Sequence, residues 1–310
     1  MGPVLLYGPL VVTVTMWAFQ APALHALGER WDPATLNLAR YLLAMMAFSV
    51  IVTFAPSGRA EREAGSAIAA LPWTHGLLIG VLFGGFGLLF ATGSVVGNPV
   101  VSATTAAVMP ITASLVNWIV TGQRPERTLL MALVLVVPGA VLAMPRADGV
   151  GGDLPVLGLV LVLLAQVCWS LYSLTLPRLM PEASTIRRTR VSIHWALLSH
   201  LVVFLLVWII GAGRADLSFP VFDGSVTLAA ALGPMVLGLA LWNLSVARLG
   251  LPVCALFLNL VPVVGTLIAW AFGTVPSLLQ ILGVTLVILG MGFAQYRRKS
   301  AEGRSPLPRG

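Results

Sequence analysis

The stretch PVLGLVLVLLAQVCWSLYSLTL, Pro155–Leu176, decides the fold: its 22 consecutive residues include no Asp, Glu, Lys or Arg. At about 1.5 Å of rise per helical residue it reaches about 30 Å, the thickness of a bilayer's hydrocarbon. Ten such runs are present: Leu5–Leu27, Thr35–Phe54, Leu71–Val96, Val100–Val120, Thr128–Met144, Pro155–Leu176, Val191–Gly211, Ser225–Ala247, Pro252–Phe272 and Ser277–Tyr296. They are too long for barrel strands, which alternate over about ten residues, so they read as helices. All eleven carboxylates (Glu29, Asp32, Glu61, Glu63, Glu126, Asp148, Asp153, Glu182, Asp216, Asp223 and Glu302) fall outside the runs, ten in the short hinges between them and Glu302 in the tail. There they escape the cost of entering lipid. With 58% hydrophobic and 9% charged residues in 310, the chain reads as an all-α polytopic membrane protein.

The basic residues set the expected orientation. Fourteen of the 18 Lys and Arg side chains lie in alternate loops and the C-terminal tail, among them Arg59, Arg124, Arg187, Arg248 and Lys299. Only Arg30, Arg146 and Arg214 lie in the opposite loops, and Arg40 lies inside the second run. Cytoplasmic loops collect Lys and Arg, so both termini are expected in the cytoplasm. The first run carries no basic flank and no small-residue cleavage site and reads as a retained helix. The scattering of the arginines over short loops argues against a nucleic-acid partner. Membrane lipid and a small-molecule substrate are the expected partners, and the oligomeric state stays open. Cys168 and Cys254 lie within runs and read as packing residues, not as a disulfide or metal pair. No cofactor is expected.

An internal repeat is written into the spacing. Trp17 and Trp169, Pro110 and Pro262, and Trp118 and Trp270 are each 152 residues apart and fall in matching runs. The halves are expected at 1–145 and 155–296, joined by a Gly-rich linker at 146–154 and followed by a polar tail at 297–310, read as disordered. Five helices per half is an odd number, so the second copy enters the membrane inverted. That arrangement places a transporter's substrate near the midplane, at the repeat interface. The hinge at Ala55–Ala70 is a candidate short surface helix.

Ten helices in two inverted halves, with a Trp in the first helix of each and a Pro midway along the fourth, resemble the drug/metabolite transporter superfamily. Within it the chain is similar to the EamA-type exporters and to the YddG-like bacterial amino-acid exporters. The resemblance covers essentially the whole chain and implies an exporter of the cell inner (plasma) membrane, with no enzymatic activity. Its implied cargo is small amphipathic metabolites, neutral and aromatic amino acids foremost. Other metabolites or drugs, such as nucleosides or organic cations, stay open; the lack of a carboxylate inside any run weakens the cation version.

The candidate substrate-binding residues follow from polar and aromatic groups at helical spacing. Thr13, Trp17 and Gln20 share one face of the first helix, and Gln166, Trp169, Ser170 and Ser173 one face of the sixth, with Tyr172 at its margin. An amide in hydrocarbon needs a partner or a wet cavity, and Trp supplies a flat stacking surface. Helix–helix packing is the competing explanation. Phe86 and Phe90 on the third helix, beside Phe83, and Asn243 and Asn259 on the eighth and ninth complete the set. Pro110 and Pro262 are candidate hinges, because each deprives the carbonyl four residues earlier, Ala106 or Leu258, of its helical donor. Gly76, Gly80 and Gly84 form a strip for close helix contact.

The remaining ionisable residues read as follows. Arg40 is expected to snorkel to the surface, with attraction of a substrate carboxylate as the alternative. His194 and His200 in the seventh run read as packing or water contacts, with proton exchange near neutrality as the alternative, and His25 and His75 read as interfacial. Without a carboxylate in the spans, transport is expected to be facilitated and uncoupled, by alternating access. HExxH, P-loop and GxSxG patterns are absent from the sequence, which disfavours an intramembrane enzyme. The repeat disfavours a non-transporting receptor.

Overall fold

In the computed structural model, residues 3–28, 30–54, 71–96, 99–143, 156–216, 221–271, 275 and 277–302 are described. Apart from an isolated bridge between Trp31 and Ala215, all regular structure among them is helical. In lipid this follows from the backbone, whose polar groups find partners within one segment only in a helix. The helices are α1 (Pro3–Ala18), α2 (Gln20–Gly28), α3 (Pro33–Phe54), α4 (Trp73–Val96), α5 (Pro99–Thr121) and α6 (Arg127–Ala143). After the linker come α7 (Val156–Leu179), α8 (Thr185–Ile209), α9, α10 (Leu251–Phe257), α11 (Leu260–Ala271) and α12 (Leu278–Glu302). Helix α9 starts as Val221–Ala230, turns π-helical over Ala231–Gly238, and ends as Leu239–Leu249.

Five helices, Pro33–Phe54, Trp73–Val96, Val156–Leu179, Thr185–Ile209 and Gly224–Leu249, are by length and composition able to cross a membrane. Their outward faces are apolar: Leu201, Val202, Leu205, Leu206 and Ile209 on α8 are all exposed. That inverts the soluble pattern and suits a lipid solvent.

The two parts of the chain interleave. Helix α6 packs along α12, α4 along α7 and α8, and α3 along α8. Small residues permit these approaches. A Cβ on Gly80 would stand 2.7 Å from the Trp195 carbonyl oxygen, and one on Gly84 3.0 Å from Ser199 Cβ. Likewise, a Cβ on Gly139 would stand 2.8 Å from the Gly283 carbonyl. The glycine strip is therefore the contact surface of α4 on α8.

Helical irregularities concentrate near the centre. Helix α4 is π-helical over Gly80–Gly84, and shifting those positions by 152 lands on 232–236, inside the π segment of α9. Pro234 sits in that segment and cannot donate a backbone hydrogen bond. Single π turns recur at functional sites because they alter which carbonyls face inward. The first run breaks at Phe19, which separates α1 from α2 and makes Gln20 the first residue of α2. The tail reading is corrected only at its start, where α12 continues through Arg297, Arg298 and Lys299 to Glu302; residues 303–310 lie outside the described residues. The surface-helix expectation at Ala55–Ala70 and the whole linker at 146–154 lie outside the described residues.

Candidate functional site

Aromatic side chains from five helices meet at the centre of the bundle. Trp17 of α1, Trp169 of α7 and Trp242 of α9 form a triangle, with ring centroids 5.2 Å (Trp17–Trp169), 5.2 Å (Trp17–Trp242) and 5.4 Å (Trp169–Trp242) apart. Phe86 lies 4.7 Å from Trp169 and 5.6 Å from Phe90. Phe83 stacks on Tyr172 at 4.8 Å and meets Tyr41 of α3 at 5.5 Å. Phe83–Tyr172 and Phe86–Phe90 are stacked, and the other pairs are tilted or edge-on, arrangements that ring quadrupoles favour. The sequence placed Trp17, Phe86, Phe90, Trp169 and Tyr172 here and missed Trp242 and Tyr41. One signal for Trp242 was available, since it stands 152 residues after Phe90.

The π segment of α9 explains how Trp17 is held. Its indole Nε1 donates to the Pro234 carbonyl at 3.1 Å, and Thr13 Oγ1 donates to the Gly238 carbonyl at 3.2 Å. Gly238 provides the room, since a Cβ there would stand 2.8 Å from Trp17 Nε1.

On one flank of the cluster the polar groups are mutually satisfied. Tyr172 Oη donates to Ser192 Oγ at 2.9 Å and lies 3.4 Å from Asn243 Oδ1. Ser192 Oγ donates to the Arg188 carbonyl at 2.8 Å, and Asn243 Nδ2 to Thr189 Oγ1 at 3.2 Å. Trp242 Nε1 donates to Ser173 Oγ at 3.1 Å. Elsewhere, buried atoms of three candidates have no protein partner: Gln166 Oε1, Trp169 Nε1 and Asn259 Oδ1. Buried polar atoms normally find partners, so these are positions from which a cargo can be held.

The other candidates fall less simply. Gln20 is half-buried, one residue past the Phe19 break. Pro110 lies buried inside an unbroken α5. Pro262 belongs to α11 and follows a break at Leu258 and Asn259. There the chain tightens into three-residue turns, and the Leu258 carbonyl accepts from Val261 N at 3.0 Å. The expectation that Pro262 leaves this carbonyl without a donor is corrected, because the tighter turn supplies one locally. Arg40 is corrected too. It does not snorkel: at 1% exposure it is enclosed between helices. His200 is buried with it, while His194 is half-buried beside Trp195.

The two ends of the bundle differ. At one, Asp32 N donates to the Arg214 carbonyl at 2.8 Å and Arg214 N to Asp32 Oδ2 at 2.9 Å. Arg30 and Asp216 pair there at 3.7 Å, and Trp31 Nε1 donates to the Asp216 carbonyl at 3.1 Å. Asp32 also caps α3 through Ala34 N and Thr35 N. At the opposite end of α8, Arg188 donates to the Met180 and Pro181 carbonyls. A recess of about 300 Å³ opens beside it, lined by Leu71, His75, Glu182 and Arg187 among others.

Comparison with known proteins agrees with this architecture. The uncharacterized transporter YyaM of Bacillus subtilis (strain 168) is 27% identical over 287 residues, spanning 83% of this chain and 88% of that protein. One solved crystal structure has the same fold: it superposes with a TM-score of 0.75 at 18% identity, covering 97% of this chain and 100% of that one. Residues 5–144 and 156–294 each match one family, whose description is the EamA-like transporter family. On those two matches, which take in nearly the whole described chain, this protein belongs to the EamA-like transporter family of the drug/metabolite transporter superfamily.

Proposed function

We propose that this membrane transporter exports small amphipathic metabolites, neutral and aromatic amino acids first, across the cell inner membrane. Ten spans in two inverted five-helix halves, 1–145 and 155–296, with both termini cytoplasmic, alternate access to a central site. The observation that carries the reading is the triangle of Trp17, Trp169 and Trp242, with Trp169 and Trp242 buried, Trp17 half-buried and polar atoms on its borders. Such a site offers a stacking surface for an apolar side chain and hydrogen bonds for a zwitterion's ends. Trp17, Gln20, Phe86, Phe90, Gln166, Trp169, Tyr172, Asn243 and Asn259 are assigned to it. Pro110 and Pro262 act as hinges.

Alternation follows from the unequal ends. The Asp32–Arg214 and Arg30–Asp216 contacts close one end, while the recess beside Arg188 marks the other. Opening the first requires breaking those contacts and moving α4 against α8 along the glycine strip, where small residues let the two backbones approach closely. Every carboxylate of the sequence lies outside the ten apolar runs, and on that ground export runs down the cargo gradient without proton coupling. The test is flux in proteoliposomes. Labelled phenylalanine should enter with time, compete with tryptophan and leucine, and be indifferent to an imposed pH gradient. Competition by nucleosides or quaternary amines alone would replace the cargo. Uphill accumulation driven by the pH gradient, lost on replacing His194 and His200, would replace the uncoupled mechanism.

A further inference from the structure

We infer that Arg40, oriented by Asn37 and bordered by Tyr41 and His200, is an anion site that takes up a carboxylate of the cargo. The inference deepens the amino-acid reading above and rests on it for the rest of the cargo's chemistry.

Burial and missing partners set Arg40 apart. Its side chain is 1% exposed, and among the described residues the only ion pair joins Arg30 to Asp216, so no carboxylate there neutralises it. Its nearest acid by sequence, Asp32, is held by the backbone of Ala34, Thr35 and Arg214. An uncompensated guanidinium between helices is expensive, and ionisable residues inside a membrane mark substrate paths.

One edge of the guanidinium is left without a protein partner. Nη1 donates to Asn37 Oδ1 at 3.2 Å, and Asn37 is itself anchored, with Nδ2 donating to the Gly87 carbonyl at 3.1 Å. Nε and Nη2 are buried and have no protein partner. These two groups lie on the same edge and donate in parallel, the fork that fits both oxygens of a carboxylate. A lysine ammonium offers no such fork.

His200 borders the same space. Its ring centroid stands 4.3 Å from that of Tyr41, and neither ring nitrogen has a protein partner. Gly87 lets both rings pack against α4: a Cβ there would stand 2.7 Å from Tyr41 Oη and 3.0 Å from His200 Nε2. Tyr41 also touches Phe83, which stacks on Tyr172 within the aromatic cluster. A cargo with its carboxylate on Arg40 therefore has stacking surfaces within one ring's reach.

The test compares equilibrium binding of three probes to the full chain: L-phenylalanine, L-phenylalaninamide and 3-phenylpropionate. Phenylalanine and 3-phenylpropionate should bind about ten- to hundredfold tighter than the amide, the size of one charge-assisted bidentate contact. Arg40→Gln should bring that ratio to about one, and Arg40→Lys should keep part of it. An equal ratio for the unmodified chain would overturn the inference whether or not the variants fold. So would a ratio unchanged in Arg40→Gln, or failure of both carboxylates to bind. Arg40-dependent binding of 3-phenylpropionate without binding of phenylalanine would keep the anion site and overturn the amino-acid reading instead.

Discussion

Two polar regions flank the aromatic centre, and they differ in how far the protein satisfies itself. Around Tyr172, the groups of Ser192, Asn243 and Thr189 find one another, so the network is complete without a ligand. Around Arg40, the protein supplies Asn37 and stops, leaving Nε, Nη2 and both nitrogens of His200 unpaired. A completed buried network rigidifies and positions; an incomplete one is a standing cost that a ligand can relieve. The first region is the frame that holds Tyr172 and Trp242 in place. The second is where a cargo gains binding energy.

The largest expected effect lies on the surface both regions share. Trp169→Ala removes a ring contacting Trp17, Trp242, Phe86 and Tyr172. It should cost about 3–5 kcal/mol of stability, the usual range for a buried Trp. It should also lower affinity for aromatic amino acids more than for alanine. Thermal unfolding with a binding series reads both, and equal loss for all cargos would mean the cluster only packs.

Asn243→Ala is the intermediate case and breaks the complete network. It leaves Tyr172 with Ser192 alone and should cost about 1–3 kcal/mol of stability. The phenylalanine-to-phenylalaninamide affinity ratio should stay unchanged. A shift in that ratio with little loss in unfolding temperature would erase the distinction between the two regions.

Asn37→Ala should be mildest in stability, about 0.5–1.5 kcal/mol, the worth of an ordinary hydrogen bond. Its effect should appear in discrimination, because Arg40 loses the contact that fixes its fork. The affinity ratio should fall by severalfold in the same binding series. A stability loss as large as that of Asn243→Ala with the ratio intact would make Asn37 and Arg40 structural.

Much of the site was legible one helix at a time. Trp17 and Trp169 were readable because a duplicated chain repeats its spacing, and Tyr172 and Gln166 because they share a helix with Trp169. Tyr41 was not, since nothing in the local pattern of α3 says which face turns inward, and Trp242 was missed although the repeat spacing from Phe90 pointed to it. The Phe19 break escaped notice because the run from Leu5 to Leu27 is uniformly apolar, and hydropathy is blind to backbone register. The two π segments escaped it for the same reason, although Pro234 marks one of them. Leu258 was misjudged because the rule for prolines assumes an α-helix, and here the chain had already tightened into three-residue turns.

By itself, the order of residues determined that this chain lives in lipid, that it is helical, and that it carries a repeat of its tryptophans and prolines. Those properties are sums over local choices: apolar length, the position of charges and the spacing of marked residues. Only the tertiary structure decided that Arg40 is enclosed instead of reaching the surface, and that Asp32 is engaged elsewhere. Burial and hydrogen-bond pairing are relations between distant segments; Arg40 meets Gly87 and His200 only through Asn37, Tyr41 and the packing of α3, α4 and α8. A charge's surroundings, and so its use, are set by which helices close around it.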